Sequence, residues 1–286
     1  MILSLAGVVL LSPDALIIRL VEEDQWTILL WRSGLSAVAL TLLIALFARR
    51  AIWSWFRAIG RIGILAGVFH GLGSMLFVTS ITHTTAANTL VIVSTGPLFA
   101  ALMSRLFLGE SIARRTWIAI LVVVGAVAVV FSGSLGSASI GGDLAALGGA
   151  LSLAAVFTAI RAARTVNMVP AIALGTSLTA TVALLLGGRV PSTPGEAGLL
   201  LLLGGVLLPA AAALLATAPR HLPAPEVTLI VRLEMVLGPL WVWLVLGEAP
   251  GLSAAIGGAV ILAALTVHSY LTLRTSDARP AVEPVL

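Results

Sequence analysis

Two stretches, Ser94 to Glu110 (STGPLFAALMSRLFLGE) and Arg232 to Glu248 (RLEMVLGPLWVWLVLGE), align at an offset of 138 residues, with five of 17 positions identical and a shared Leu-Gly-Glu ending. A second pair, Ser4 to Arg19 and Ala146 to Arg161, aligns at an offset of 142 with five matches, among them Gly7 with Gly149 and Ile18-Arg19 with Ile160-Arg161. Leucine-rich helices match one another by composition, so neither alignment decides anything alone. Two nearly equal offsets, each close to half of the 286 residues, point to a tandem repeat. The glycine of each Leu-Gly-Glu corner supplies the positive φ that ends a helix, and the glutamate then sits near the positive N-terminus of the next one.

The sequence around these stretches is apolar. Hydrophobic residues make up 59% of the chain and charged residues 10%, whereas a soluble domain is about one quarter charged; mean hydropathy is +1.14. No water-soluble surface can be built from this composition. A helix crosses a ~30 Å hydrocarbon core in ~20 residues. Apolar runs at roughly 1 to 18, 26 to 48, 60 to 82, 85 to 107, 114 to 132, 143 to 164, 168 to 188, 197 to 217, 225 to 246 and 252 to 273 therefore predict ten transmembrane helices. The first run has no basic segment before it and carries Pro13 and Asp14 where a cleavage site would need small neutral residues, so it is expected to be a retained helix.

The expected architecture is an all-α membrane protein of two five-helix repeats, residues 1–134 and 135–274, followed by a disordered tail, 275–286. Five is odd, so the second copy enters the membrane inverted, the arrangement transporters use for alternating access. Loop charges orient it. Arg49, Arg50, Arg57, Arg61, Arg114, Arg115, Arg161, Arg164, Arg220, Arg274 and Arg279 fall on one side, and only Arg19 and Arg189 on the other. Positive residues stay in the cytoplasm, so both termini are predicted to lie inside. The same distribution explains the pI near 11.2 better than a nucleic-acid surface does.

Composition also excludes chemistry. All 16 basic residues are arginine, so there is no lysine for a phosphate-binding loop or a Schiff base. Cysteine is absent, and four scattered histidines (70, 83, 221 and 268) lack any His-x-x-x-His spacing. A membrane-embedded enzyme would need a catalytic cluster, and a channel a repeated polar stripe; neither pattern is visible. No cofactor or metal is expected. The expected partners are a small-molecule substrate and the lipid bilayer, with the chain acting as a monomer.

Tandem five-helix halves, Pro97 in a segment ending in Gly-Glu, and Arg32 early in the second helix together resemble the drug/metabolite transporter superfamily, specifically EamA-type exporters, over essentially the whole chain. The resemblance implies a secondary transporter or facilitator of a bacterial inner membrane that exports amino acids or related metabolites, or else drugs or toxic metabolites. The second half of such proteins often carries Glu-Pro; here it is Glu234-Met235, with the nearest proline at Pro239. Gly-Pro-Leu-Trp-Val-Trp (238 to 243) is similar to the YddG-type aromatic amino acid exporters.

A charge at the centre of a membrane helix costs ~2.5 to 3.5 kcal/mol, so each needs a partner or a wet cavity. Asp14 lies ~7.5 Å below the Arg19 end of its helix and Arg32 ~9 Å below Trp26, at nearly one depth on consecutive helices. Their repeat mates are Val156 and Leu174, so both charges vanish together, as an ion pair should. His70, Arg232 and Glu234 fall near the predicted midplane, where transporter sites lie, with Thr95 at similar depth. Arg232 and Glu234 are about 200° apart on a helix and cannot pair simply. Glu234 shares a face with Trp241, and Arg232 with Trp243. The expected substrate-binding set is His70, Arg232, Glu234, Trp241, Thr95 and Phe99: Arg232 for a carboxylate, Glu234 for an ammonium, Trp241 or Phe99 for stacking. Equally open are a structural histidine at 70 and a bracing role for the two charges of the ninth helix. Gly63, Gly67, Gly71, Gly73, Gly148 and Gly149 are read as close-packing positions, and His83 and Asn88 as wet loop or cap residues.

The arginine distribution makes a topological prediction. Cysteines introduced at Ser54 and Ser137 of this cysteine-free chain label from opposite sides of an intact membrane; labelling from the same side would end the inverted-repeat reading.

Overall fold

The computed structural model describes residues 2–48, 51–163, 166–217 and 233–277, and all regular structure among them is helical. In chain order the helices are α1 (Ile2–Leu11), α2 (Asp14–Leu20), α3 (Gln25–Ala48), α4 (Ile52–Ala58), α5 (Gly60–His83), α6 (Ala86–Val93), α7 (Gly96–Leu108), α8 (Arg114–Ser132), α9 (Ile140–Ala162), α10 (Val169–Leu185), α11 (Pro194–Leu200), α12 (Leu208–Thr217), α13 (Glu234–Leu246) and α14 (Leu252–Asp277), with a π-helical stretch, Leu201–Leu207, joining α11 to α12. Among the described residues eight helices or helix pairs are long and apolar enough to cross a membrane, and α10 and α13 are shorter apolar helices. The last helix runs to Asp277, into the stretch read as tail; residues 278–286 lie outside the described residues.

Two of the expected spans are broken. The first divides at Ser12 and Pro13, because proline has no N–H for the carbonyl four residues back; Ser12 Oγ donates to that carbonyl, Val9 O, at 3.0 Å. The fourth divides at Ser94 and Thr95, just ahead of Gly96 and Pro97. Here Ser94 Oγ donates to Val91 O at 2.7 Å and Thr95 Oγ1 to Ile92 O at 2.6 Å. Hydroxyls thus satisfy backbone that lipid cannot. The π-helical stretch ends at Leu207, two residues before Pro209, whose missing N–H leaves the Gly204 carbonyl without its partner five residues on, and Ser36 Oγ reaches that carbonyl at 3.0 Å. By contrast α13 continues through Pro239.

The helix surface is apolar outward and finely polar inward. Leu46, Phe47, Leu121 and Leu185 are 74, 75, 69 and 78% exposed, as side chains in contact with lipid would be, while Thr27, Thr89, Asp143 and Thr179 are wholly buried. Helices from the two sequence halves interleave: α5 packs against α9 and α10, α3 against α10, α7 against α9, and α8 against α14. Small residues allow the closest of these approaches. A Cβ on Gly67 would stand 2.7 Å from Ala171 O, and one on Gly71 would stand 2.9 Å from Gly175 O. Gly73 meets Ser152 of α9, whereas Gly63 faces Ile59 at the start of its own helix. Helices α7 and α13, each 13 residues long, end on left-handed glycines, Gly109 (φ 68°) and Gly247 (φ 71°). The repeated Leu-Gly-Glu endings are therefore the same structural corner.

Short connections alternate the chain between two faces. At one face Asp24 caps α3, accepting from Trp26 N at 2.8 Å and from Thr27 N and Oγ1 at 3.1 and 2.6 Å. Partial burial acts to raise its pKa, but these hydrogen bonds and nearby Arg189 outweigh it and hold the carboxyl below its ordinary value.

Close approach gives a stability prediction. A Cβ at Gly175 would lie 2.4 Å from Gly67 O and 3.0 Å from His70 Cβ, so Gly175→Ala is expected to destabilise the α5–α10 contact by about 1–3 kcal/mol. Thermal unfolding in detergent measures it, with Gly198→Ala, where a Cβ meets nothing, as the neutral control.

Candidate substrate site

The break between α1 and α2 starts a new helix at Asp14, inside the protein, and Asp14 faces Arg32 of α3. Arg32 Nε donates to Asp14 Oδ1 at 2.9 Å and Nη2 to Oδ2 at 2.5 Å, a two-pronged ion pair. Both side chains are buried, 13 and 6% exposed. The third nitrogen, Nη1, donates to Ser74 Oγ of α5 at 2.9 Å, and the guanidinium lies 5.7 Å from the Phe77 ring centroid. Every nitrogen of Arg32 thus has a use within the protein. The residue binds three helices together and leaves little of its donor capacity for a ligand.

Two expected site residues gather around this pair. His70 is half-buried one helical turn from Ser74, against Gly175 of α10, and lies within the field of Arg32. Glu234 opens α13 and lies within the fields of both Asp14 and Arg32. Trp241, two turns along α13, donates from Nε1 to Ser12 Oγ at 2.9 Å. Its indole is therefore tied to the α1–α2 break. Trp243 points the other way: it is 51% exposed and lines an apolar groove of about 250 Å³ with Val91, Met235, Pro239 and Gly258. Of the two faces of this helix, the one carrying Trp241 turns inward.

Thr95 and Phe99 stand apart. Thr95 is buried with its hydroxyl given to Ile92 O, Phe99 is half-buried in the first turn of α7, and neither bonds to the ion pair. Arg232 lies outside the described residues. An apolar groove of about 400 Å³ between α3 and α10, lined by Leu30, Trp31, Leu184 and Arg189 among others, contains none of the expected residues.

The sequence reading passed over a second polar centre. Asp143, fully buried in the first turn of α9, accepts from Thr84 Oγ1 at 2.6 Å and from Asn88 Nδ2 at 3.0 Å, and Asn88 also reaches Ser134 Oγ at 3.2 Å. Asn88 is thus a buried strut, only 7% exposed, and not a wet loop or cap residue; His83 does remain at the surface, bonded to Thr79 O at 2.8 Å. Ser12 and Ser74 were missed as well. Serine is so common in membrane helices that only its position one turn from His70, or next to Pro13, would have singled either out.

The EamA-like transporter family matches this chain twice, over residues 1–132 and 140–270. The pseudopaline exporter CntI of Pseudomonas aeruginosa, in strains UCBPP-PA14 and PAO1, is 31% identical over 229 residues, which cover 78% of this chain and 80% of the relative. A crystal structure with 18% identity superposes over 96% of this chain and 97% of its own with a TM-score of 0.61, a likeness of fold.

The buried pair makes a prediction of its own. Truncating one member of a buried pair strands the other charge at a cost of ~3 to 5 kcal/mol. Asp14→Ala and Arg32→Ala are each expected to lower thermal stability by that order, and the double variant to lose less than the sum. Additivity in this double-mutant cycle would refute the coupling.

Proposed function

Because the chain belongs to the EamA-like transporter family, a group of multi-pass membrane proteins, we propose that it exports a zwitterionic small metabolite, an amino acid or a derivative of one, across a bacterial inner membrane by alternating access. The observation that carries this reading is the polar centre around Asp14 and Arg32. A fully apolar bundle would be cheaper to insert, and the Asp14–Arg32–Ser74 cluster with His70 and Glu234 in its field is the kind of intramembrane charge that marks a substrate path. The relative's pseudopaline export supports the exporter class. Ten crossings with both termini in the cytoplasm fit the eleven-to-two arginine distribution of the loops.

A zwitterion in low dielectric needs an anion and a cation facing it at the spacing of its own charges. Glu234 supplies the anion for the substrate ammonium. Arg32 is committed to Asp14, so Arg232, two residues before Glu234, is the cation proposed for the carboxylate; the assignment requires that α13 not continue back through residue 232, since an unbroken helix would turn Arg232 to the outward face of Trp243. Trp241, held by Ser12, presents a rigid aromatic wall. His70 is the group that makes binding or release pH-sensitive. Thr95, whose hydroxyl is given to Ile92 O, and Phe99 stand apart from this centre and receive no role in it.

Proteoliposome uptake of a labelled amino-acid panel, with and without a proton gradient, tests the class. Glu234→Gln and Arg232→Gln each remove one charge-assisted hydrogen bond, ~1.5 to 3 kcal/mol, and are expected to weaken apparent substrate affinity roughly tenfold or more. His70→Ala is expected to flatten the pH profile. If all three folded variants keep wild-type rate, affinity and pH profile, these residues do not line the path.

A further inference from the structure

Two ion pairs sit at opposite ends of the helices and are related by the sequence repeat. At one face, Arg19 in the last turn of α2 reaches Glu248, just beyond the left-handed Gly247 that ends α13, at 3.2 Å. Arg19 also donates to Thr84 O at 2.5 Å, while Glu248 accepts from Ala86 N at 3.1 Å. Both bonds place this pair at the junction of α5 and α6. At the other face, Arg161 in the last turn of α9 reaches Glu110, just beyond the left-handed Gly109 that ends α7, at 2.8 Å. The offset of 142 carries Arg19 onto Arg161, and the offset of 138 carries Glu110 onto Glu248. The partners are exchanged between repeats: the arginine of the first half holds the glutamate corner of the second, and the reverse.

We propose that these two pairs are alternating latches of the transport path, Arg19–Glu248 closing one face and Arg161–Glu110 the other, and that each must open in turn while its counterpart stays shut. The inference rests on the transport reading above and assigns that path its gates. Three observations converge on it. Each pair joins the first inner helix of one repeat to the fourth of the other, across the seam along which inverted repeats rock. Each glutamate follows a left-handed glycine, a corner at which the loop swings without distorting the helix before it. And both pairs are partly exposed, with side chains 26 and 28% exposed at the first face and 58 and 25% at the second. An exposed pair is weak enough to break in each cycle. The buried Asp14–Arg32 pair is not, and it serves as the fixed element against which the latches work.

Spin labels on Glu22→Cys with Leu252→Cys report the Arg19 face, and on Ser111→Cys with Ala162→Cys the Arg161 face; all four positions lie at the surface beside a latch. Glu248→Gln is expected to raise the wide-distance population at the Arg19 face roughly two- to fivefold, the range an exposed ion pair supplies, and to lower it at the Arg161 face. Glu110→Gln is expected to do the reverse, and the double variant to return both faces towards the wild-type proportion. A change confined to the mutated face, loosening of both faces together, or no change overturns the proposal. Arg19→Gln and Arg161→Gln give the same readout should a glutamate variant fail to fold, and failure of all four to fold overturns it by making the pairs structural staples. The distances are read without substrate. Reciprocal shifts in a protein that carries no zwitterion would keep the latches and discard the substrate class.

Discussion

Arg32 spends its whole guanidinium inside the protein: two nitrogens on Asp14, one on Ser74, and its face towards Phe77. In a hydrocarbon environment a bare guanidinium is among the costliest groups to place, and a carboxylate alone at that depth is little better. Paired and fully hydrogen-bonded, they form a node that α2, α3 and α5 cannot leave separately. The other polar residues of the interior are placed relative to it. Glu234 and His70 lie in its field, and Trp241 is tied to Ser12, two residues before Asp14.

That node exists because the first span is broken. An unbroken helix from 2 to 20 would hold its polar backbone atoms to itself; Pro13 opens it, Ser12 satisfies the freed carbonyl, and Asp14 begins a new first turn at depth. The break before Pro97 and the π-helical stretch before Pro209 follow the same physics, each with a serine or threonine hydroxyl covering backbone that water would cover elsewhere. Close helix approach is the other half of the arrangement. Gly67, Gly71 and Gly175 bring the backbones of α5 and α10 so near that no side chain fits between, which joins helices of the first half to helices of the second.

The two halves are therefore repeats in sequence but not separate bodies in space. Their strongest packing runs between halves, and their matching Leu-Gly-Glu corners are each held by an arginine of the other half. Such exchange follows when an inverted copy is threaded through its twin: equivalent helix ends come to opposite faces, and the residues nearest each end belong to the partner repeat. The buried centre and the exposed corners then differ in strength by the degree to which water screens them.

Residue order alone determined the membrane class, the helical fold, the repeat and the family resemblance, because each depends on composition, period or spacing along the chain. It also placed Asp14 and Arg32 at one depth, since depth is counted from a helix end. It read Asn88 as a wet loop or cap residue because it stands close to a chain turn, whereas Ser134 and Asp143, 46 and 55 positions away, enclose it together with Thr84 at the end of the adjoining helix. Which face of the ninth span turns inward was likewise open, and the hydrogen bond from Trp241 to Ser12 decides it across 229 residues of chain. Helical period gives a residue its face but not the identity of what lies opposite. Only the packed tertiary structure brings Glu234 into the field of Arg32, or Arg19 to Glu248, because contacts between distant helices depend on how whole surfaces fit and leave no mark in local sequence.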